Sequence, residues 1–260
     1  MDLAKHIDEL ASQGRYHVTT VEVRDALGIS IVAARAALRR LRAKGAIAMP
    51  FNGFHVIVPP EYRRIGCLPA DQFVPQLMNH LGLDYYVGLL SAAEYHGAAH
   101  HRPQTFQVIV AINRRPIECG DVRVRFFARR NVQEIPTIAK NTPRGIVRIS
   151  TPEATAFDLV GYAERAGGMD HVATVLTELV EAINADELAH LAPLSPVSWS
   201  QRLGHLLEIV GAENLVGPLA EYVAENARQT IPLNPKRRSD DGDRNVRWKL
   251  QVNDTVEPEQ

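Results

Sequence analysis

The sequence predicts an α+β protein built in two unlike parts, and three observations carry that prediction. The run from Ser30 to Lys44 holds five cations and no acid, and Ile31, Ala34, Leu38 and Leu41 recur in it at helical spacing. Asn52-Gly53 stands between two apolar segments, the strongest short hairpin signal a sequence offers. At Pro59-Pro60 the chain becomes polar and irregular before strand-like and helical patterns resume. These features predict an N-terminal winged helix-turn-helix over residues 1–60, a linker over 61–70, and a larger mixed α/β domain over 71–252. That domain carries a small sheet and several helices, and residues 253–260 read as a disordered tail.

The first part is read element by element. Leu3, Ile7 and Leu10 mark a first helix, and Thr19 or Thr20 can cap a second one that runs to Leu27 and stops at Gly28. Ser30 can accept from the free amides of the next helix, so Gly28 to Ser30 is the short turn of a helix-turn-helix. In the third helix Arg39 and Arg40 face water, and Arg35 and Arg42 lie along one edge near Arg39, because offsets of three and four residues return to one side. Ala33, Ala36 and Ala37 keep its N-terminal half slim, as a groove-inserted helix requires. After Gly45, Ala46 to Phe51 and Phe54 to Val58 form the wing around a type I′ turn. Candidate DNA contacts are Ser30, Arg35, Arg39, Arg40, Arg42, Lys44, Asn52 and Gly53. Each part has a complete apolar pattern, so residues 1–66 are expected to fold alone.

In the second part, Asp71 to Leu81 and Tyr85 to His96 read as helices. Phe106 to Ile112 is apolar on both faces, as in a central strand, whereas Val122, Val124 and Phe126 alternate with Arg123 and Arg125. Ile146 to Ile149 supplies a third strand. Ser150-Thr151-Pro152-Glu153 opens a helix through Phe157 and Val160, and Gly167-Gly168 ends that region. Val172, Leu176, Leu179 and Ile183 form the next stripe. A helix from Ser198 through Leu203, Leu206 and Val210 precedes Gly211, and a last one runs through Leu215, Leu219 and Tyr222.

Composition narrows the function. The 260 residues are 45% hydrophobic and 23% charged, an ordinary globular mixture. The net charge of −1 conceals a division, since residues 1–58 carry eight Lys or Arg against five Asp or Glu. Basic excess therefore sits on the expected reader domain. Cys67 and Cys119 stand far apart in sequence without paired metal-ligand spacing, which suits a reducing cytoplasm. Met1 to Tyr16 alternates charged and apolar residues, so neither a leader nor a membrane span is expected there.

Two stretches carry a family resemblance. Tyr85-Tyr86-Val87-Gly88-Leu89-Leu90-Ser91-Ala92-Ala93-Glu94-Tyr95-His96-Gly97-Ala98-Ala99-His100, followed by Arg102-Pro103-Gln104, resembles the AbiEi antitoxins of bacterial abortive-infection systems. Ser150-Thr151-Pro152-Glu153-Ala154-Thr155-Ala156-Phe157-Asp158-Leu159-Val160 is similar to a second stretch of the same family. The resemblance implies a type IV toxin-antitoxin system whose antitoxin represses its own operon through the winged helix. It further implies that the second domain counters a cognate nucleotidyltransferase toxin, usually without a stable complex. Double-stranded operator DNA and that toxin are the implied partners, and the chain is expected as a monomer or weak dimer.

An enzyme reading finds little support. His96 and His100 share a helix face at a spacing that can hold a metal, with His101 adjacent, but Gly97 intervenes and the zinc-protease Glu is missing after His96. Histidines ending a helix and interacting with its dipole are the simpler reading. Glu153 and Asp158 lack a recognisable nucleophile and read as a cap residue and an exposed helix carboxylate. No phosphate-cradling glycine loop is present, and neither cofactor nor metal is expected. Lys236-Arg237-Arg238 with Arg244, Arg247 and Lys249 form a basic tail beside Trp248 and Leu250. It suits either a nucleic-acid or partner contact or a solvated turn compensated by Asp240, Asp241 and Asp243. The alternative to an antitoxin is a winged-helix regulator whose larger domain senses a small ligand.

Overall fold

The computed structural model describes residues 2–98, 103–237 and 242–258. In chain order its elements begin with α1 (Leu3–Ser12), β1 (His17–Thr19), α2 (Thr20–Leu27), α3 (Ile31–Ala43), β2 (Ile47–Phe51) and β3 (Phe54–Ile57). Then come α4 (Val74–Leu81), β4 (Tyr85–Val87), α5 (Leu89–Tyr95), β5 (Phe106–Val110), β6 (Ile117–Cys119), β7 (Val122–Ala128), β8 (Thr137–Thr142) and β9 (Gly145–Ser150). The remainder is α6 (Pro152–Gly161), α7 (Met169–Leu179), α8 (Ala185–Leu191), α9 (Val197–Ile209), α10 (Gly217–Asn226), β10 (Ile231–Pro232), β11 (Asp243–Asn245) and β12 (Leu250–Val252). The strands form a three-stranded sheet of order β1-β3-β2, a six-stranded mixed sheet of order β6-β7-β5-β4-β9-β8, and a small sheet of order β10-β12-β11. The chain is thus α+β, as the sequence predicts.

By contacts the chain divides into two compact units, one of residues 1–86, 104–132 and 139–148, the other of 87–103, 133–138 and 149–260. The first unit has two apolar cores. Leu3, Ile7 and Leu10 of α1, Val23 of α2, and Ala34 and Leu38 of α3 pack with Ile47 and Ile57 of the sheet. Phe54, Val56 and Val58 turn the other way, into a core with Leu68, Phe73, Leu77, Val108, Val124 and Phe126. Thr19 caps α2 reciprocally: its side chain accepts from the Glu22 amide while the Glu22 carboxylate accepts from the Thr19 amide at 2.6 Å. Ser30 Oγ accepts from the Ala33 amide at 3.2 Å and starts α3.

The second unit is built around α6, which is buried from Glu153 to Val160 and touches α5, α7, α8 and α9. Thr151 caps it, and Pro152 occupies its first turn. Trp248 is fully buried, and its ring lies where a side chain on Gly204 of α9 would stand. Gln201 donates to the carbonyls of Trp248 and Lys249 at 3.1 and 3.0 Å, fixing that segment on α9.

Three local expectations need correction. The helix expected from Tyr85 begins only at Leu89, because Tyr85-Tyr86-Val87 are β-formers buried in the sheet and Gly88 breaks the run. The Asn52-Gly53 turn is not type I′: Gly53 has φ +78°, but among the described residues only Leu89 and Lys249 are non-glycines at positive φ. Asp158 is no exposed carboxylate. It is 0% accessible, and Glu153, also buried, accepts from the Asn184 amide at 2.9 Å, joining α6 to the start of α8.

Within residues 253–258, expected in a disordered tail, Asn253 donates to the Asn234 carbonyl at 2.9 Å and Val256 is buried, while Thr255 and Glu257 are exposed. Residues 259–260 lie outside the described part.

Candidate nucleic-acid interface

Five of the candidate contacts, Arg35, Arg39, Arg42, Asn52 and Gly53, line a groove of about 390 Å³ between α3 and the β2–β3 hairpin, together with Val32 and Ala36 among others. Positions 32, 35, 36, 39 and 42 repeat at steps of three and four, so one side of α3 faces the groove, while Ala34 is held in the core and buried Leu38 sits at the boundary between core and groove. Arg35, Arg39 and Arg42 are exposed, as is Val32 at 71%. The groove thus offers a row of cations around an apolar step, opposite a hairpin tip.

The other expected contacts are placed differently. Ser30 is the N-cap of α3, and Arg40 and Lys44 are exposed but do not line the groove. Lys236 pairs with Glu164 at 2.8 Å and Arg237 with Asp254 at 2.7 Å, so both have acidic partners, while Arg238 lies outside the described residues. Of the histidines, His96 is the C-cap of α5, where its Nε2–H donates to the Ser150 carbonyl at 2.8 Å; His100 and His101 lie outside the described residues. Among the described residues, no group of three or more His, Cys, Asp and Glu is placed to hold a metal, and no helix is long and apolar enough to cross a membrane.

His55 forms the groove floor and shares a 3.0 Å hydrogen bond with Thr20 at the start of α2. Burial first, and then the positive field of Arg42, lower its pKa to about 4, so it is neutral at physiological pH. Arg144, in the β8–β9 turn, lies 3.5 Å from the ring centroid of Tyr16, donates to Gln72 at 2.9 Å and pairs with Glu61 at 3.1 Å. It links the segment between α1 and β1 to the residues after the wing.

Sequence reasoning overlooked Arg114 and Arg115. With Asn113 and Pro116 they line a second cleft beside Pro50, Phe51 and Asn52, at the hairpin tip. Two adjacent cations without a neighbouring acid, just before a proline, were the available signal.

Three helices with a β1-β3-β2 sheet, an exposed third helix and a hairpin beside it define a winged-helix protein with a larger α+β region appended. Residues 86–209 match the family described as AbiEi antitoxin C-terminal domain, to which this stretch of the chain is similar. None of the curated proteins matches the sequence. Among solved structures, the chain is similar to the Rv2827c protein from Mycobacterium tuberculosis, at 16% identity and a TM-score of 0.65, covering 95% of this chain and 89% of that one. That likeness extends the shared fold to the winged helix. An antigenic nucleotidyltransferase-like protein from Paracoccidioides brasiliensis aligns over 58% of this chain and 90% of its own, at 14% identity and a TM-score of 0.37. A likeness of that score supports no argument.

Proposed function

We propose that the chain is a DNA-binding antitoxin that represses its own operon through the winged helix and counteracts a nucleotidyltransferase toxin through the region containing α5 to α9. The observation that carries the DNA half is the row of Arg35, Arg39 and Arg42 facing the hairpin tip across one groove. A helix presented this way enters a major groove, where Arg35 and Arg39 meet phosphates or guanine edges and Val32 and Ala36 meet thymine methyls. Asn52, Arg114 and Arg115 then contact the flanking phosphate backbone. Support for the toxin half is the match of residues 86–209 to the antitoxin domain. Such a protein works in the cytoplasm and needs no cofactor.

The test has two arms. In the first, the chain is titrated onto duplex DNA from upstream of its own gene and footprinted, with protection expected over a discrete site and weaker binding to scrambled DNA. In the second, toxin and antitoxin are expressed from separate foreign promoters, so that repression cannot contribute to growth rescue. Binding without sequence preference would overturn the repressor role, and absence of rescue at equal protein abundance would overturn the antitoxin role.

A further inference from the structure

The two cysteines, distant in sequence, are neighbours in the fold. The Asp121 amide donates to the Ile65 carbonyl at 2.7 Å, and the backbones at Gly66 and Gly120 touch, so closely that a side chain on Gly120 would collide with the Ile65 carbonyl and with Gly66. The next residue on one segment is Cys67, and the preceding residue on the other is Cys119. Both are free thiols buried in the same apolar core, at 0% and 7% exposure, and they are hydrogen-bonded to each other. A disulfide requires Cα atoms within roughly 7 Å. Segments in backbone contact at the adjacent glycines bring that separation within reach without rearrangement.

We propose that Cys67 and Cys119 are a dithiol site that a small peroxide converts into an intramolecular disulfide. The surroundings of the two sulfurs differ, and this assigns their roles. The thiol of Cys67 donates to Cys119 and holds its pKa below the usual range against the opposing effect of burial, aided by the Met49 amide and the charge of Arg42. Cys67 is pushed up by that same hydrogen bond and by burial. Cys119 is therefore the attacking thiolate. Its sulfur bonds to one peroxide oxygen as the O–O bond breaks, giving a sulfenic acid and hydroxide, which takes the Cys67 proton to become water. The Cys67 thiolate then attacks the Cys119 sulfur, the S–S bond forms, the S–O bond breaks, and the leaving hydroxide takes back from solvent the proton that Cys119 released on ionising, departing as a second water. Two thiols lose two electrons, and one peroxide is reduced to two waters. The bond would tie the segment leaving the wing to β6, alongside β2.

The experiment treats the reduced full-length chain with hydrogen peroxide, unfolds it in N-ethylmaleimide and measures intact mass. Wild type should lose two hydrogens and take up no maleimide, and a thiol reductant should restore both alkylation sites. Cys67→Ser should instead accumulate a sulfenic acid at Cys119 that dimedone traps, and Cys119→Ser should keep an alkylatable Cys67. Two alkylated cysteines in peroxide-treated wild type, or a disulfide found only between chains, would overturn the proposal. Cys67 oxidised as fast in Cys119→Ser as in wild type would overturn the assignment of roles. The wild-type mass decides the main point even where a serine variant fails to fold, and it is independent of DNA binding.

Discussion

The groove makes a quantitative demand on DNA binding. Replacing Arg35, Arg39 and Arg42 by Ala removes the three cations of α3 that face the hairpin, whereas Arg40→Ala with Lys44→Ala removes two exposed cations that do not line it. Each phosphate contact contributes about 0.9 to the log-log salt dependence of duplex binding, so the triple variant should lose about 2.7 from the slope. Between 50 and 200 mM salt that difference amounts to a roughly forty-fold smaller loss of affinity than wild type suffers. The double variant should keep the wild-type slope to within about half a unit. Folding should be nearly unaffected, since surface changes to Ala cost about 0.5 kcal/mol or less and Ala is the best helix former. Fluorescence anisotropy across salt, with circular dichroism as the control for folding, measures both. An unchanged slope in a folded triple variant, or equal losses in the two variants, would refute the assignment of the α3 groove as the DNA surface.

Single residues set three further outcomes. Gly53→Val places a β-branched residue at φ +78° in the hairpin tip and should weaken operator binding several-fold while helix content persists; full affinity would mean that the wing does not touch DNA. His55, near 4 when folded and near 6.5 when unfolded, affects stability in neither state above pH 6.5. Below that the unfolded chain binds the proton first, so stability falls until about pH 4, by on the order of 2 kcal/mol, since solvent in the groove moderates the effect. Urea unfolding of wild type and His55→Gln at pH 7 and 4.5 should show a smaller acid loss in the variant, and identical losses would contradict it. Arg144→Ala should cost about 2–3 kcal/mol in denaturant unfolding, because a cation–π contact and hydrogen bonds of a mostly buried guanidinium disappear together. A cost below about 0.5 kcal/mol would show these contacts to be incidental.

How much the sequence revealed depended on how local the cause was. The third helix was legible because its start, stripe and stop all lie within sixteen residues: Ser30, the Ile31–Leu41 stripe and Gly45. β1 was not, since three residues carry no period and its partner Val56 is fixed only by tertiary pairing with His17. The helical reading of Tyr85-Tyr86-Val87 failed because apolar residues buried on both faces fit either a helix or a central strand. Glu153 reads in sequence as a cap residue, and it does lie in the first turn of α6; its acceptance of the Asn184 amide depends on the chain returning there. The same holds for the site. Cations on α3 could be sorted by helical offsets, but Arg114 and Arg115 reach the hairpin tip only through the fold, as Cys67 reaches Cys119.

The strand that carries the wing also limits how far the winged helix can be separated from the rest of the chain. In β3 and just beyond it, Ile57 enters the core of α1 to α3, while Phe54, Val56 and Val58 point into the core shared with Leu68, Phe73, Leu77 and Val124. A fragment of residues 1–66 keeps the first core intact and loses the cover over the second. Re-exposing one aromatic and two valine side chains costs roughly 1.5–3 kcal/mol each, or about 4.5–9 kcal/mol together, comparable to the whole stability of a small domain. We therefore expect the fragment to be marginally folded at 25 °C, with weak binding to operator DNA that tightens on cooling towards 10 °C. Replacing Phe54, Val56 and Val58 by Thr in the fragment should raise its solubility, whereas the same changes in the full chain should destabilise it by several kcal/mol. Chemical denaturation of both lengths, with and without the three replacements, separates the cases. A 1–66 fragment as stable as the full chain would mean that the buried side of β3 contributes little, and that the winged helix is autonomous after all.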